Sequence, residues 1–143
     1  MSENKTNTLT EEEINLWCKA SYQEATKILA QNGIITESVD TKDSRYLPPV
    51  IAFWKLKSTD GNQFWVVCGE IKHDFLPVSA ANSAREAARS FALRWQIEVE
   101  QLVTKQQVET DEAVIEQLKQ EAADINFCAD RLYQIFEIES LWV

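Results

Sequence analysis

An α+β domain, with a small antiparallel sheet (a β-hairpin of two or three strands) packed against about three helices, is predicted by three features of this chain. Two segments open on a capping box and then repeat apolar residues every three or four positions. A single Asp-Gly pair, Asp60-Gly61, separates two runs rich in aromatic and β-branched residues. The last third carries one long helical stripe. With 143 residues, 45% of them apolar, the chain is expected to form one domain over 1–143 with a real core.

Residues 1–9 are polar and expected to fray. Thr10 then offers an N-cap and Glu13 the reciprocal side chain, so a helix starts there. Ile14, Trp17, Cys18, Ser21, Ala25, Ile28 and Leu29 form its stripe, and Asn32-Gly33 supplies a left-handed stop. Residues 34–39 are β-branched and partly alternating, which fits an edge strand or an ordered loop, and 41–45 read as a turn. Pro48-Pro49 forbids helix and leads into the hairpin, 50–57 and 63–69.

If Asp60 and Gly61 are the whole loop, Leu56 faces Trp65, Trp54 faces Val67 and Ala52 faces Gly69, so both tryptophans share the core side. Phe53 with Cys68 and Ile51 with Glu70 then lie on the other side. Residues 70–82, with Pro77, read as a loop. Ser83 and Glu86 form a second capping box before the stripe Ala84, Ala88, Phe91, Trp95, Val99 and Leu102, whose small residues permit close packing.

The Gln-rich 104–110 reads as a break before a long C-terminal helix over 111–139. Its seam, Ile115, Leu118, Ala122, Ile125, Ala129, Leu132 and Phe136, alternates threes and fours. At about 1.5 Å per residue such a helix is ~43 Å long, more than the ~37 Å diameter of a compact domain this size. An overhanging seam invites a second chain, so a homodimer through this helix is expected unless the helix bends near Asn126 or packs wholly on the other two.

The charge excludes several classes of partner. With 14 basic against 23 acidic residues the net charge is −9, which opposes contact with nucleic acid and anionic membranes. The acidity lies in the termini, residues 110–143 carrying 2 basic and 8 acidic groups, so the balanced middle is the better contact region. No apolar run reaches the ~20 residues of a membrane span and the start lacks a signal-peptide layout, so a cytoplasmic protein is expected. Cys18, Cys68 and Cys128 suit neither a disulfide framework nor a metal knuckle.

Any histidine chemistry must pass through His73, in Glu70-Ile71-Lys72-His73-Asp74. A carboxylate from Glu70 or Asp74 would hold the imidazole near neutral pKa, but a nucleophile is also required, and Cys68 sits in an apolar strand. Bracing of the loop is the favoured role for His73 and Asp74. Too few ligands accompany His73 for a metal site, and no cofactor is expected, since GxGxxG, P-loop, GxSxG and HExxH motifs do not occur. Arg85 and Arg89, one turn apart near a helix start, suit an anion, with internal pairing to Glu70, Asp74 or Glu86 the favoured reading.

Leu47-Pro48-Pro49, Ala52-Phe53-Trp54, Phe64-Trp65-Val66-Val67-Cys68-Gly69-Glu70, Asp74, and Ser83-Ala84-Arg85 through Trp95 together resemble a small bacterial domain-of-unknown-function family of about this length. The resemblance covers about residues 14–97. Glu70 stands where that family's pattern has Asp, and Lys72 where it has Pro, whereas Asp74 and Arg85 match. The resemblance implies a fold and no reaction.

The preferred reading is a non-enzymatic binding or regulatory domain acting through protein contacts, with an unknown protein partner or a second copy. The alternative is an enzyme or small-ligand-binding protein with a site around Glu70, His73, Asp74 and Arg85. Arg89, Cys68 and Phe53 complete the candidate residues.

Overall fold

The computed structural model describes residues 9–142, so most of the expected frayed start, 1–8, lies outside the described residues. The chain divides into two compact units, Met1–Val78 and Ser79–Val143.

The first unit opens on helix α1 (Glu11–Ala30). The Thr10 Oγ1 accepts the Glu13 N–H at 3.1 Å, and the Glu13 carboxylate accepts the Thr10 N–H at 2.8 Å, completing the expected capping box. Strands β1 (Thr36–Val39), β2 (Arg45–Leu47), β3 (Ile51–Ser58), β4 (Gln63–Gly69) and β5 (Asp74–Pro77) follow, all antiparallel. The order is β1-β3-β4-β5, with β2 also on β3. The sheet is therefore larger than the hairpin expected: residues 34–39 do contain a strand, the supposed turn and its sequel contain β2, and the supposed loop 70–82 contains β5.

Strands β1 and β2 lie end to end along β3, meeting Leu56 to Ser58 and Ile51 to Phe53 respectively. Between them the Lys55 backbone would lose its ladder partners. Ser44 and Asp40 replace them: the Lys55 N–H donates to the Ser44 Oγ at 2.8 Å and the Asp40 N–H to the Lys55 carbonyl at 2.8 Å.

The hairpin register differs from the expected one by a single residue. Trp54 pairs with Val66, Leu56 with Phe64 and Ala52 with Cys68. The loop is three residues rather than two: Ser58 N–H donates to the Asn62 carbonyl at 2.8 Å, enclosing Thr59-Asp60-Gly61, with Gly61 at φ +92°. The Asp60 carboxylate holds this loop by accepting from the Ser58 hydroxyl and the Asn62 N–H. Because side chains alternate, a one-residue slip changes which residues share a face. Trp54 and Trp65 are therefore on opposite faces.

Ala52, Trp54, Leu56, Val66 and Cys68 pack with Ala25 and Leu29 of α1. Ile51, Phe53, Trp65 and Val67 on the other face are also buried, which explains why these strands read as continuous apolar runs.

The second unit is a helical hairpin, α2 (Ala84–Val108) and α3 (Glu112–Glu137), followed by a short 3-10 turn, Glu139–Trp142. Ser83 caps α2 by accepting the Glu86 N–H at 3.2 Å, but the Glu86 carboxylate reaches the N–H of Asn82 rather than Ser83, so the box is only half formed. The Gln-rich segment does not break the helix until Val108, since glutamine is a good helix former. Asp111 caps α3 by accepting the Ala113 N–H at 2.9 Å. Ala84, Ala87, Ala88, Phe91, Ala92, Trp95 and Leu102 are buried on α2, and Ala122, Ile125, Ala129 and Leu132 on α3. The two helices, about 37 and 39 Å long at 1.5 Å per residue, pack along each other. The seam expected to overhang therefore lies beside a second helix of nearly equal length, and α3 runs unbroken through Asn126.

Candidate functional site

Two regions hold the sequence-predicted site residues, one in each unit. In the first, the end of β4 meets α1. Ser21, a hydroxyl in an otherwise apolar stripe, is buried and links three elements. The Trp54 indole N–H donates to its Oγ at 2.9 Å. That Oγ lies 3.4 Å from the Cys68 Sγ, and the Cys68 thiol donates to the Ser21 carbonyl at 3.6 Å. Every proton is used if the Ser21 hydroxyl donates to sulfur. The residue that organises this corner was legible in the sequence only as a polar residue at a core position.

Cys68 is consequently a buried thiol. Burial above all, with the nearby Glu24 carboxylate, pushes its pKa up to about 11 despite the opposing Ser21 contact. At pH 8 about one molecule in a thousand then carries the thiolate, so Cys68 lacks the electropositive, accessible setting of a nucleophile. Iodoacetamide at pH 8, read by peptide mass mapping, is expected to leave Cys68 unmodified in folded protein and to label it fully in urea. Equal labelling in both would contradict this placement.

His73 stands just beyond. Its Nε2 lies 3.2 Å from the Gly69 carbonyl oxygen, a distance at which an Nε2–H donates, and 3.6 Å from Glu24 Oε1. Glu24, missed by sequence reasoning because it is on α1, is thus the histidine's carboxylate neighbour. Asp74 begins β5, where its Oδ1 accepts the Phe75 N–H at 2.8 Å. Glu70 continues from β4, its N–H donating to the Val50 carbonyl at 2.7 Å. The adjacent cavity, lined by Trp17, Ala20, Ser21, Glu24 and Gly69, holds about 130 Å³, below the roughly 300 Å³ of small-ligand sites. Phe53 is 0% exposed and packs in the sheet. This corner braces a strand end, and among the described residues no group of three or more His, Cys, Asp or Glu side chains is placed to hold a metal.

In the second unit Arg85 and Arg89 share a cleft of about 510 Å³ at the start of α2, with Ala80, Ser83, Glu86, Ser90 and Phe136. Arg85 is half-buried and fixed: its Nε donates to the Phe136 carbonyl at 2.9 Å, closing the last turn of α3, and its guanidinium lies 5.2 Å from the Phe136 ring centre. Neither arginine has an ion-pair partner among the described residues, so the expected internal pairing with carboxylates is not found. Glu86 instead accepts the Asn82 N–H at 3.1 Å. The Arg spacing was visible in the sequence, whereas Phe136, 51 residues away, was not.

No helix among the described residues is long and apolar enough to cross a membrane. Comparison with curated proteins and with solved structures finds no match to this chain. A family model does match residues 11–142, nearly the whole of the fold described above, and the chain belongs to that family, a domain of unknown function (DUF4826).

Proposed function

We propose that this is a non-catalytic binding or regulatory domain that acts through protein contacts, and that its contact surface is the outer face of α2, where a second copy of the chain docks. One observation carries the reading. Ser90, Leu93, Ile97, Gln101, Thr104 and Val108 recur at steps of three and four along α2, a narrow uncharged stripe with Arg94 and Lys105 along one edge and Glu100 beside the other. Leu93, Ile97 and Val108 are exposed, Ile97 by 59% and Val108 by 78%.

The stripe is about 27 Å long at 1.5 Å per residue on a chain that is 26% charged. It suits a second copy because two molecules of net charge −9 repel wherever their carboxylates meet. An uncharged seam is where they can approach. A strongly basic partner would instead be drawn to the acidic surface. The catalytic alternative around Glu70, His73, Asp74 and Arg85 is the weaker reading, because Cys68, one residue before the Gly69 carbonyl that His73 meets, is a buried thiol with a raised pKa.

Ile97→Glu tests this directly. It places a carboxylate in the middle of each stripe, and sedimentation equilibrium is expected to show at least a tenfold weaker dimer, since an unpaired charge buried at an interface costs about 2 kcal/mol or more. The thermal midpoint of the diluted monomer should stay within about 2 °C, because Ile97 lies outside the core. An unchanged dimerisation constant would remove α2 as the interface.

A further inference from the structure

The cleft at the start of α2 has a chemistry of its own, although Ser90 both lines it and begins the uncharged stripe. In a chain with nine more acidic than basic side chains, two neighbouring arginines would be expected to find carboxylates. Arg85 and Arg89 do not, among the described residues. The one acid lining the cleft, Glu86, has an oxygen committed to the Asn82 N–H.

Arg85 is held in place by its Nε bond and by the Phe136 ring. That leaves the end of the guanidinium, its two Nη groups, as the donor edge for a ligand. Ser83 Oγ already accepts the Glu86 N–H, so its own hydroxyl proton remains to be donated. Ser90 is different, because its hydroxyl donates to the Ala80 carbonyl at 3.2 Å. The cleft thus offers two guanidinium groups and one hydroxyl, more donors than a single planar carboxylate needs and a set that suits a tetrahedral dianion.

We propose that this cleft binds a phosphate group, and that it does so as part of a small phosphomonoester. The volume, about 510 Å³, is within the range of small-molecule sites and far exceeds what a single phosphate fills. Ala80 and the Phe136 ring supply apolar surface for the organic part. Net negative charge repels long polyanions, but it does not prevent a local pair of cations from holding one dianion.

The test uses the full chain, inorganic phosphate and phenyl phosphate, with titration calorimetry at constant ionic strength and chloride as the control anion. Both probes are expected to bind saturably in competition, the ester more tightly. Arg89→Gln should weaken both by about tenfold or more, the loss of one charge-assisted hydrogen bond. Arg89 is exposed and makes no hydrogen bond, ion pair or ring contact among the described residues, so this variant should keep the native thermal midpoint. Arg85→Lys, which keeps the charge but loses the fork, should weaken binding as well. Saturable binding of phosphate with no gain from the ester would assign the cleft to the free ion and overturn the phosphomonoester. Absence of saturable binding up to tens of millimolar, or equal binding by Arg89→Gln, would overturn the site.

Discussion

Gly69→Ala is expected to destabilise the first unit by about 3 kcal/mol or more, a large share of the roughly 5–15 kcal/mol of a typical domain. Gly69 ends β4 at φ +119°, a conformation that costs a residue with a side chain on the order of 1–3 kcal/mol. A Cβ there would also run into the Val50 carbonyl oxygen and stand 2.8 Å from the Ile51 Cα. Both obstacles are backbone, so no rotamer change relieves them. The same stretch carries the Glu70 N–H bond to the Val50 carbonyl and the Ile51 pairing, which a shift of either strand would disturb. Gly61 is the internal control. It also has positive φ, +92°, but nothing lies within 4 Å of its Cβ position, so Gly61→Ala should cost only about 1 kcal/mol. Urea unfolding at constant m-value separates the two, and equal midpoints would contradict the close approach at Gly69.

Trp65→Ala is expected to cost about 3–5 kcal/mol, the range for truncating a large buried aromatic. Trp65 is 1% exposed and is among the largest fully buried side chains. Its ring also receives Lys55, whose Nζ lies 5.8 Å from the ring centre while bonding Asp43 at 2.9 Å. Hydrogen bonding to Asp43 raises the Lys55 pKa, and the same bond lowers that of Asp43, so the cation stays charged beside the ring. Trp54 is built differently. It is stacked on Tyr46 at 5.3 Å, edge-on to Tyr22 at 5.6 Å and bonded to Ser21. Because the two tryptophans lie on opposite faces, the milder Trp54→Phe and Trp65→Phe changes should be additive within about 0.5 kcal/mol. Strong coupling between them would indicate the same-face register that a two-residue loop would have produced.

Much of the fold was legible in local chemistry. Thr10-Glu13, Ser83 and Asp111 mark helix starts because their side chains satisfy the first amides there, and the stripes of α1, α2 and α3 are the faces that bury. What was not legible depends on partners distant in sequence. Strands β2 and β5 have three and four residues and no periodicity of their own, and they exist by completing the edges of β3 and β4. The hairpin register turned on whether Thr59 belonged to the loop, a choice made by the Ser58, Asp60 and Asn62 hydrogen bonds rather than by Asp60-Gly61 alone.

The candidate sites divide in the same way. His73, Cys68, Arg85 and Arg89 could be picked out as residue types, but their roles follow from Glu24, Ser21 and Phe136, none of which is near them in the chain. Those partners tie the first cluster to α1, whereas in the second Arg85 is fixed by Phe136 and neither arginine has an ion-pair partner among the described residues.

The central claim is that this domain works by binding through an uncharged helical face, with a second copy as its occupant. Light scattering on the wild-type chain at tens of micromolar tests it most directly. The expected mass is about twice the 16.4 kDa of the chain, falling toward 16.4 kDa on dilution. A constant 16.4 kDa across that range would contradict the claim.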